Sequence, residues 1–394
     1  MNISESEGKV IIALEGRIDT NNAPQIEKQI FEGLEGKQGE IIIDAKDLAY
    51  ISSAGLRVLM KLCKSTKGTV QVINVSREIY DIFETTGFTE LLDVRKALRE
   101  VSVEGCELVG SGSYGKVYRL DDETIIKLYG VGSSELIERE RLMSQRAFVN
   151  GLPTAISYDV VKCGDQLGVV YELLKARTVA QLITADPDNL ESTVRGAVSE
   201  LRRFHSIEIN DKSFEDKKLP FFEQIKMFSP FLAAEEQSTL EGFLDSIPDR
   251  STFVHGDYNF KNVMSRDGEI LLIDVGDAGY GHPIFDLSGL ALAYRIFAKS
   301  GQSPERIFGF LGIAPSLADR VWNAIISEYF NVSTPDEISY YTQMLMPMAE
   351  FIRAYHTMRR ITDINDKQAV SQRVDTYIRG LVLPAIKNAI KLDF

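Results

Sequence analysis

The 394-residue chain is short of several things, and each shortage excludes a class of protein. Its three cysteines, Cys63, Cys106 and Cys163, lie far apart. That leaves no disulfide framework and no metal-ligand spacing, and fits a reducing cytoplasm. The four histidines, His205, His255, His282 and His356, are too scattered to suggest zinc. No apolar run approaches the ~18 residues of a membrane span, and no signal peptide opens the chain. Positive charge is outnumbered, 44 Lys and Arg against 57 Asp and Glu, for a net charge of −13. This argues against nucleic acid, whose phosphates call for clustered cations. Internal repeats and low-complexity tracts are missing too. The remaining composition, 44% hydrophobic and 26% charged, is that of an ordinary globular protein, and the length suits two or three domains. An acidic balance would suit a cationic substrate.

The stretch richest in chemistry is Phe253 to Met264, followed by the apolar run Ile270 to Ile273 and then Asp274. It sets Asp257 and Asn262 five residues apart in a polar loop and adds a second carboxylate at a strand end. Phosphoryl transfer from a nucleotide needs hard oxygen ligands for magnesium and a carboxylate to orient the attacking hydroxyl. Asp257 fits the base, and Asn262 and Asp274 fit the metal ligands. The plainer alternative is an Asx-rich turn between two strands.

Residues 1–98 alternate strand and helix, the pattern of a sheet with helices packed on it. Lys9–Gly16 reads as a strand, and Asn22 as the N-cap of a helix carrying Ile26, Ile30 and Leu34. Glu40–Asp44 reads as a buried central strand. Leu56, Leu59, Met60 and Cys63 mark a second helix, Thr69–Val75 another strand, and Ser76 the start of a third helix. Glu15-Gly16-Arg17-Ile18-Asp19, the strand ending at Asp44, and Tyr50-Ile51-Ser52-Ser53-Ala54-Gly55-Leu56 make this segment resemble the STAS domain of sulphate transporters and anti-sigma factor antagonists. The resemblance implies a protein-interaction role. It also implies phosphorylation at Ser53 by a partner kinase, although this chain has Ser52 where the antagonists often carry Asp. A phosphate on Ser53 would meet a helix N-terminus and add about −1.5 to −2 charge. The competing reading is that Ser52 and Ser53 simply cap the helix.

A charged stretch at 99–105 reads as a linker. Residues 106–175 begin with Gly110-Ser111-Gly112-Ser113-Tyr114-Gly115-Lys116. Strand-like residues after the glycines exclude a dinucleotide fold, which needs a helix there. Val117 stands where a P-loop needs Ser or Thr. Strand, glycine loop, strand and lysine strand is the kinase pattern. In that pattern Gly110, Gly112 and Gly115 let backbone N–H groups approach phosphates, and Lys127 supplies positive charge. Such a lysine needs a carboxylate on the next helix. Glu140 lies on the apolar stripe with Met143 and Ala147, whereas the rival Glu138 does not. The plainer reading leaves both glutamates on a solvated face. Backbone groups of Glu172 and Leu174, after an apolar strand, would contact adenine.

Residues 176–394 read as helical, with helices over Leu190–Phe204, Ser316–Phe330, Pro335–Ile361 and Lys367–Ile390. His205 reads as a structural or helix-end residue, Asp277 as a surface turn residue, and Tyr340–Met346 as core or pocket lining. His255-Gly256-Asp257-x4-Asn262, Ile273-Asp274 and Gly281-His282-Pro283-Ile284-Phe285-Asp286-Leu287 stand in series. On these motifs the chain from about 103 onward resembles the aminoglycoside phosphotransferase and choline kinase superfamily. The resemblance implies Asp257 as base, Asn262 and Asp274 on Mg2+, Asp286 bracing the loop and His255 as structural.

The expected architecture is therefore an α/β STAS-like domain followed by an α+β bilobal protein-kinase-like fold, with a small β-rich N-lobe (106–175) and a mostly helical C-lobe (176–394). Two functions fit. One is a cytoplasmic, ATP- and Mg2+-dependent kinase acting on a hydroxyl of an aminoglycoside, choline or similar amino alcohol. The other is a signalling protein of anti-sigma antagonist type, in which the kinase-like half phosphorylates a protein, with Ser53 as a candidate, or only senses nucleotide.

Overall fold

The computed structural model describes residues 1–6, 8–37, 39–66, 70–112, 115–130, 134–361, 363 and 365–394. Thr69, Ser113 and Tyr114 therefore lie outside the described residues. The chain separates into two compact units, Met1–Ser102 with Val160–Asp165, and Val103–Asp159 with Gln166–Phe394.

In the first unit, β1 (Asn2–Ser6) and β2 (Lys9–Ile18) form an antiparallel hairpin. There follow α1 (Ala23–Leu34), β3 (Glu40–Ile51), α2 (Ser53–Ser65), β4 (Val70–Val75), α3 (Arg77–Thr85), α4 (Phe88–Leu91), β5 (Asp93–Lys96) and the two-residue β6 (Arg99–Glu100). The sheet order is β1-β2-β3-β4-β5, parallel from β2 onward. β3 was expected to end at Asp44. It continues to Ile51 because its pairing with β2 resumes after register shifts near Glu15 and Arg17. Its apolar run is not buried on both sides: Ile41, Ile43 and Ala45 are in the core while Ile42 is only half-buried. That alternation marks a sheet with one well-covered face. Ile30, Leu59, Leu62, Ile79 and Phe83 of the helices fill this core.

Asn22 does flank α1, but its side chain caps nothing there. Its Oδ1 accepts instead from the Asp19 N–H at 2.8 Å and its Nδ2 donates to the Arg17 carbonyl at 2.7 Å, closing the preceding turn. Ser52 is the cap of α2, its hydroxyl accepting from the Gly55 N–H at 3.4 Å. Ser53 is the first helical residue and is exposed. A Cβ on Gly55 would lie 2.7 Å from the side chains of both Ile18 and Ile51, so only glycine lets α2 dock this closely on the sheet.

The second unit opens with β7 (Leu108–Gly112), β8 (Gly115–Arg119), β9 (Thr124–Tyr129) and α5 (Ser134–Val149), and continues with β11 (Gln166–Glu172); β10 (Ser157–Cys163) belongs to it only up to Asp159. Strands β7, β8, β9 and β11 are antiparallel neighbours in that order. Beyond β12 (Arg177–Thr178) the unit is mostly helical. Short strands β13 (Glu215–Asp216), β14 (Phe253–Val254), β15 (Val263–Arg266), β16 (Glu269–Leu272) and β17 (Gly279–Tyr280) interrupt the helices. The expected C-terminal helices form with trimmed ends, over Ala318–Phe330 and Pro335–Met358. The last, expected over Lys367–Ile390, is helical to Lys387 with a widened stretch at Val374–Val382. Within Tyr340–Met346 only Met344 and Leu345 are buried; Tyr341 stacks on Phe330 at 3.8 Å between ring centroids.

Candidate active site

Three short strands hold the polar loop. β17 pairs in parallel with β13 and antiparallel with β14, which brings residues 253–257 beside 277–281. β15 and β16 form a hairpin that returns the chain to Asp274. Strands this short cannot hold themselves, so the loop is tied down by side chains. The fully buried Asp286 accepts from the backbone N–H groups of His255 and Gly256, each at 2.8 Å, and from His205 Nε2 at 3.0 Å. Burial alone would push this carboxyl up. The His205 bond and charge, the nearby His255 and the backbone N–H outweigh burial and hold it below the usual carboxylate range.

His255 is buried. Its Nε2 donates to the Ile273 carbonyl at 3.1 Å and its Nδ1 accepts from the Asp257 N–H at 3.3 Å. Both ring nitrogens are thus occupied in shaping the loop. His205 has the structural role that was one of its two readings, because its Nδ1 also meets the Tyr329 hydroxyl at 2.8 Å, making it a second layer of support.

Asp257 stands at the loop's tip. Asn262 Nδ2 donates to its Oδ2 at 3.0 Å and Asn259 Nδ2 to its Oδ1 at 3.2 Å. Surrounding protein pushes its carboxyl up to about 6; His255 opposes this, the Asp274 and Asp277 carboxylates add to it, and Asn259 also opposes it. The carboxylate nevertheless keeps an exposed edge, the side a reacting hydroxyl would approach. Asn262 spends its amide nitrogen on Asp257, which turns its amide oxygen the other way. Its backbone carbonyl accepts from the Ile273 N–H at 3.0 Å, fixing the distance to Asp274.

Asp274 adopts φ 59° and ψ 46°, a left-handed conformation uncommon outside glycine and found where surroundings enforce it. That twist throws its carboxylate toward β9, where Oδ1 meets Lys127 Nζ at 2.8 Å. Lys127 Nζ also donates to Glu140 Oε1 at 2.6 Å, and Glu140 accepts from the Tyr171 hydroxyl at 3.3 Å. Glu138, by contrast, points to Arg141 on the helix surface. Burial disfavours the Lys127 charge, but the Asp274 and Glu140 carboxylates overcome it and raise its pKa. Burial pushes Glu140 upward, with Lys127 opposing.

The three glycines of the β7–β8 turn do different work. A Cβ on Gly115 would fall 1.8 Å from the Leu128 carbonyl oxygen, so glycine there is imposed by the neighbouring strand. Gly112 has open space, and Gly110 meets only Val117 at 3.7 Å. At neither of these two do the neighbouring atoms demand glycine. After β11, the Leu173 N–H is spent on the Glu123 carbonyl at 2.7 Å, whereas the Leu174 N–H meets no acceptor among the described residues. An open pocket of about 820 Å³ lies against this segment, lined by Leu173, Leu174, Arg119, Arg177 and Ser265 among others. Neither Lys127 nor Asp257 lines it.

Lys127 therefore touches both Glu140 and Asp274, and Asn262 links Asp274's neighbour Ile273 to Asp257. Ser53 belongs to the other unit. Asp277 is only half-exposed, and its carbonyl accepts from Lys217 Nζ at 2.6 Å. Sequence reading passed over Lys217, because nothing local distinguishes it from Lys218 beside it. An amide oxygen and a carboxylate are hard donors, and two of them suit magnesium, which keeps water and substrate phosphate oxygens for the rest of its octahedron. Among the described residues no cluster of three His, Cys, Asp or Glu could hold a metal without such help.

A family model described as the phosphotransferase enzyme family matches residues 105–311, and a STAS domain model matches residues 1–101. The anti-sigma-B factor antagonist of Bacillus subtilis is 25% identical over 97 residues, 24% of this chain and 88% of that protein. Among solved structures, the gentamicin complex of APH(2")-IIa aligns with a TM-score of 0.45 at 15% identity, over 80% of this chain and 99% of that one. A choline/ethanolamine kinase family protein from Mesorhizobium loti aligns with a TM-score of 0.44 at 13% identity, over 72% and 91%.

Proposed function

Because the chain belongs to the phosphotransferase enzyme family and carries a STAS domain, we propose that residues 106–394 transfer the γ-phosphoryl group of ATP to a hydroxyl of a small molecule. The observation that carries this reading is the contact chain Lys127–Asp274 and Asn262–Asp257, at 2.8 and 3.0 Å. Asp257 takes the proton of the acceptor hydroxyl as the new O–P bond forms and the bond to the ADP oxygen breaks. Its raised pKa suits that task, since proton acceptors work best near the ambient pH. Asn262 holds one carboxylate oxygen and Asn259 the other, so the base is oriented before substrate arrives. Lys127, braced by Glu140, faces the α and β phosphates, and Gly110 and Gly112 let backbone N–H groups approach them. Asp274 and Asn262 would hold Mg2+, which offsets charge on the phosphates when bound. Backbone groups of Glu172 and Leu174 take the adenine. We read 106–175 as the N-lobe and 176–394 as the C-lobe, working in the cytoplasm where ATP is made. An amino alcohol or aminoglycoside is the acceptor class favoured by the acidic chain and by the family.

A second reading is favoured by one observation: Ser53 is exposed at a helix start where Ser52 already supplies the cap. The STAS domain would then dock a protein partner and carry a regulatory phosphate.

Incubation with labelled ATP and magnesium, alone and with a panel of hydroxylated amines, tests both. Label on a small molecule, abolished in Asp257→Asn with nucleotide binding retained, supports the first reading; a loss of about 100-fold or more is expected. Label on the protein that disappears in Ser53→Ala supports the second. An Asp257→Asn variant as active as the wild type would remove the base from the proposal.

A further inference from the structure

Lys217 lies outside every motif named so far, yet its side chain touches both loops of the candidate site. Its backbone N–H donates to the Tyr280 carbonyl at 3.0 Å, which anchors it at the end of β13 beside β17. From there the side chain runs through a slot that three glycines leave open. A Cβ on Gly279 would lie 2.6 Å from Lys217 Cδ, and one on Gly281 3.4 Å from its Cβ. A Cβ on Gly256 would lie 2.7 Å from Lys217 Nζ and 2.2 Å from the Asp277 carbonyl oxygen. Gly256 also needs φ +84°, so glycine is required there twice over. At the end of the slot Nζ donates to the Asp277 carbonyl at 2.6 Å.

We propose that Lys217 is a positioning residue for phosphoryl transfer, whose ammonium clamps the Asp274–Asp277 turn onto Gly256 and so sets the spacing between Asp274 and Asp257. Asp277 and Asp286 act favourably on this charge, Arg139 opposes it, and Glu215 favours it. Burial works against the charged form and lowers the pKa, so an apolar side chain would fill the slot more cheaply. What the ammonium contributes in spite of that burial is a tie between segments 60 positions apart. Nζ has three donors. The Asp277 carbonyl takes one.

The inference rests on the phosphoryl-transfer reading, and its test separates the two. Magnesium-dependent hydrolysis of labelled ATP, with water standing in for the acceptor, is followed in the full chain. Lys217→Met keeps the stem and loses the ammonium. Its kcat is expected to fall about 10- to 100-fold, because small misplacement of reacting groups is costly. KM for ATP should stay within about threefold, since no nucleotide contact is removed. In Lys217→Cys, alkylation with 2-bromoethylamine rebuilds a lysine-like ammonium and should restore most of the lost kcat, with alkylated wild type as control. That rescue also serves if the Met variant folds poorly. An active wild type alongside an equally active Lys217→Met overturns the clamp alone. So does a folded Cys variant that alkylation fails to revive. A wild type that turns over no ATP overturns the phosphoryl-transfer reading and the clamp with it.

Discussion

The turn Ser52–Gly55 and the loop His255–Asn262 both present polar side chains from a glycine-containing bend, and they are held in opposite ways. At the turn the cap itself is local, since Ser52 receives a hydrogen bond from three residues on, and only the packing of Gly55 on Ile18 reaches further than its neighbour Ile51. At the loop, the groups that matter are held from far away in sequence. Asp286 reaches back 31 residues to His255, and Lys127 meets Asp274 across 147. A local turn leaves its exposed residue free, so whatever Ser53 does depends on an outside partner. A loop tied at long range arrives with its polar groups already arranged, at the cost of buried charge.

The sharpest way to break that contrast is to remove the long-range tie. Asp286→Ala should destabilise the second unit by about 3–5 kcal/mol, the usual penalty for orphaning a buried, hydrogen-bonded charge partner. Denaturant unfolding of the full chain measures it. A loss under about 1 kcal/mol would mean the loop holds its own shape. The pH dependence carries the same signature. Asp286 sits below its ordinary pKa in the folded state. Its stabilisation is therefore fully present above the ordinary aspartate range near 3.9. It is lost as pH falls through the depressed native value. Asp286→Asn should flatten that part of the acid limb.

A smaller effect isolates the backbone. Asp274 holds a left-handed conformation, which costs a residue with a Cβ roughly 1–2 kcal/mol. Asp274→Gly should therefore be more stable than Asp274→Ala by about 1 kcal/mol, while on the proposed function both lose phosphoryl transfer. Equal denaturant midpoints for the two would show that the surroundings, not the side chain, bear the strain.

These variants also show what could be read in advance. That Lys127 would meet Glu140, and that Asp257, Asn262 and Asp274 would share one loop region, was legible because kinase-type motifs fix residue types and rough spacings. Choosing Glu140 over Glu138 needed only helical rotation, with Met143 and Ala147 marking the inner face. The left-handed Asp274 was not legible, since aspartate reads as an ordinary strand-end residue until its φ is known. Lys217 was hidden for a different reason. Its role comes from Gly256, Gly279 and Gly281 converging in space, while the sequence shows only one lysine in a Lys-Lys pair. Gly115 was expected on account of a ligand, and the close Leu128 carbonyl, which no local pattern shows, is a further reason for glycine there. In the first unit, the strand and helix periods were readable, but the length of β3 depended on register shifts that no local pattern encodes.

The smallest expected effect concerns Ser52 and Ser53. Ser52 caps α2 through a long, 3.4 Å hydrogen bond, so Ser52→Ala should lower stability toward the weak end of the capping range, about 0.5–1 kcal/mol. Ser53→Ala removes an exposed hydroxyl that caps nothing and should stay within about 0.5 kcal/mol of wild type. A phosphate at Ser53 would meet the free N–H groups of the first turn and favour the helix dipole, so Ser53→Asp should hold or slightly raise the melting temperature. If Ser53→Ala proved the more costly of the two alanine variants, Ser53 would be part of the turn's own architecture, and an exposed serine kept free for a partner would no longer describe it.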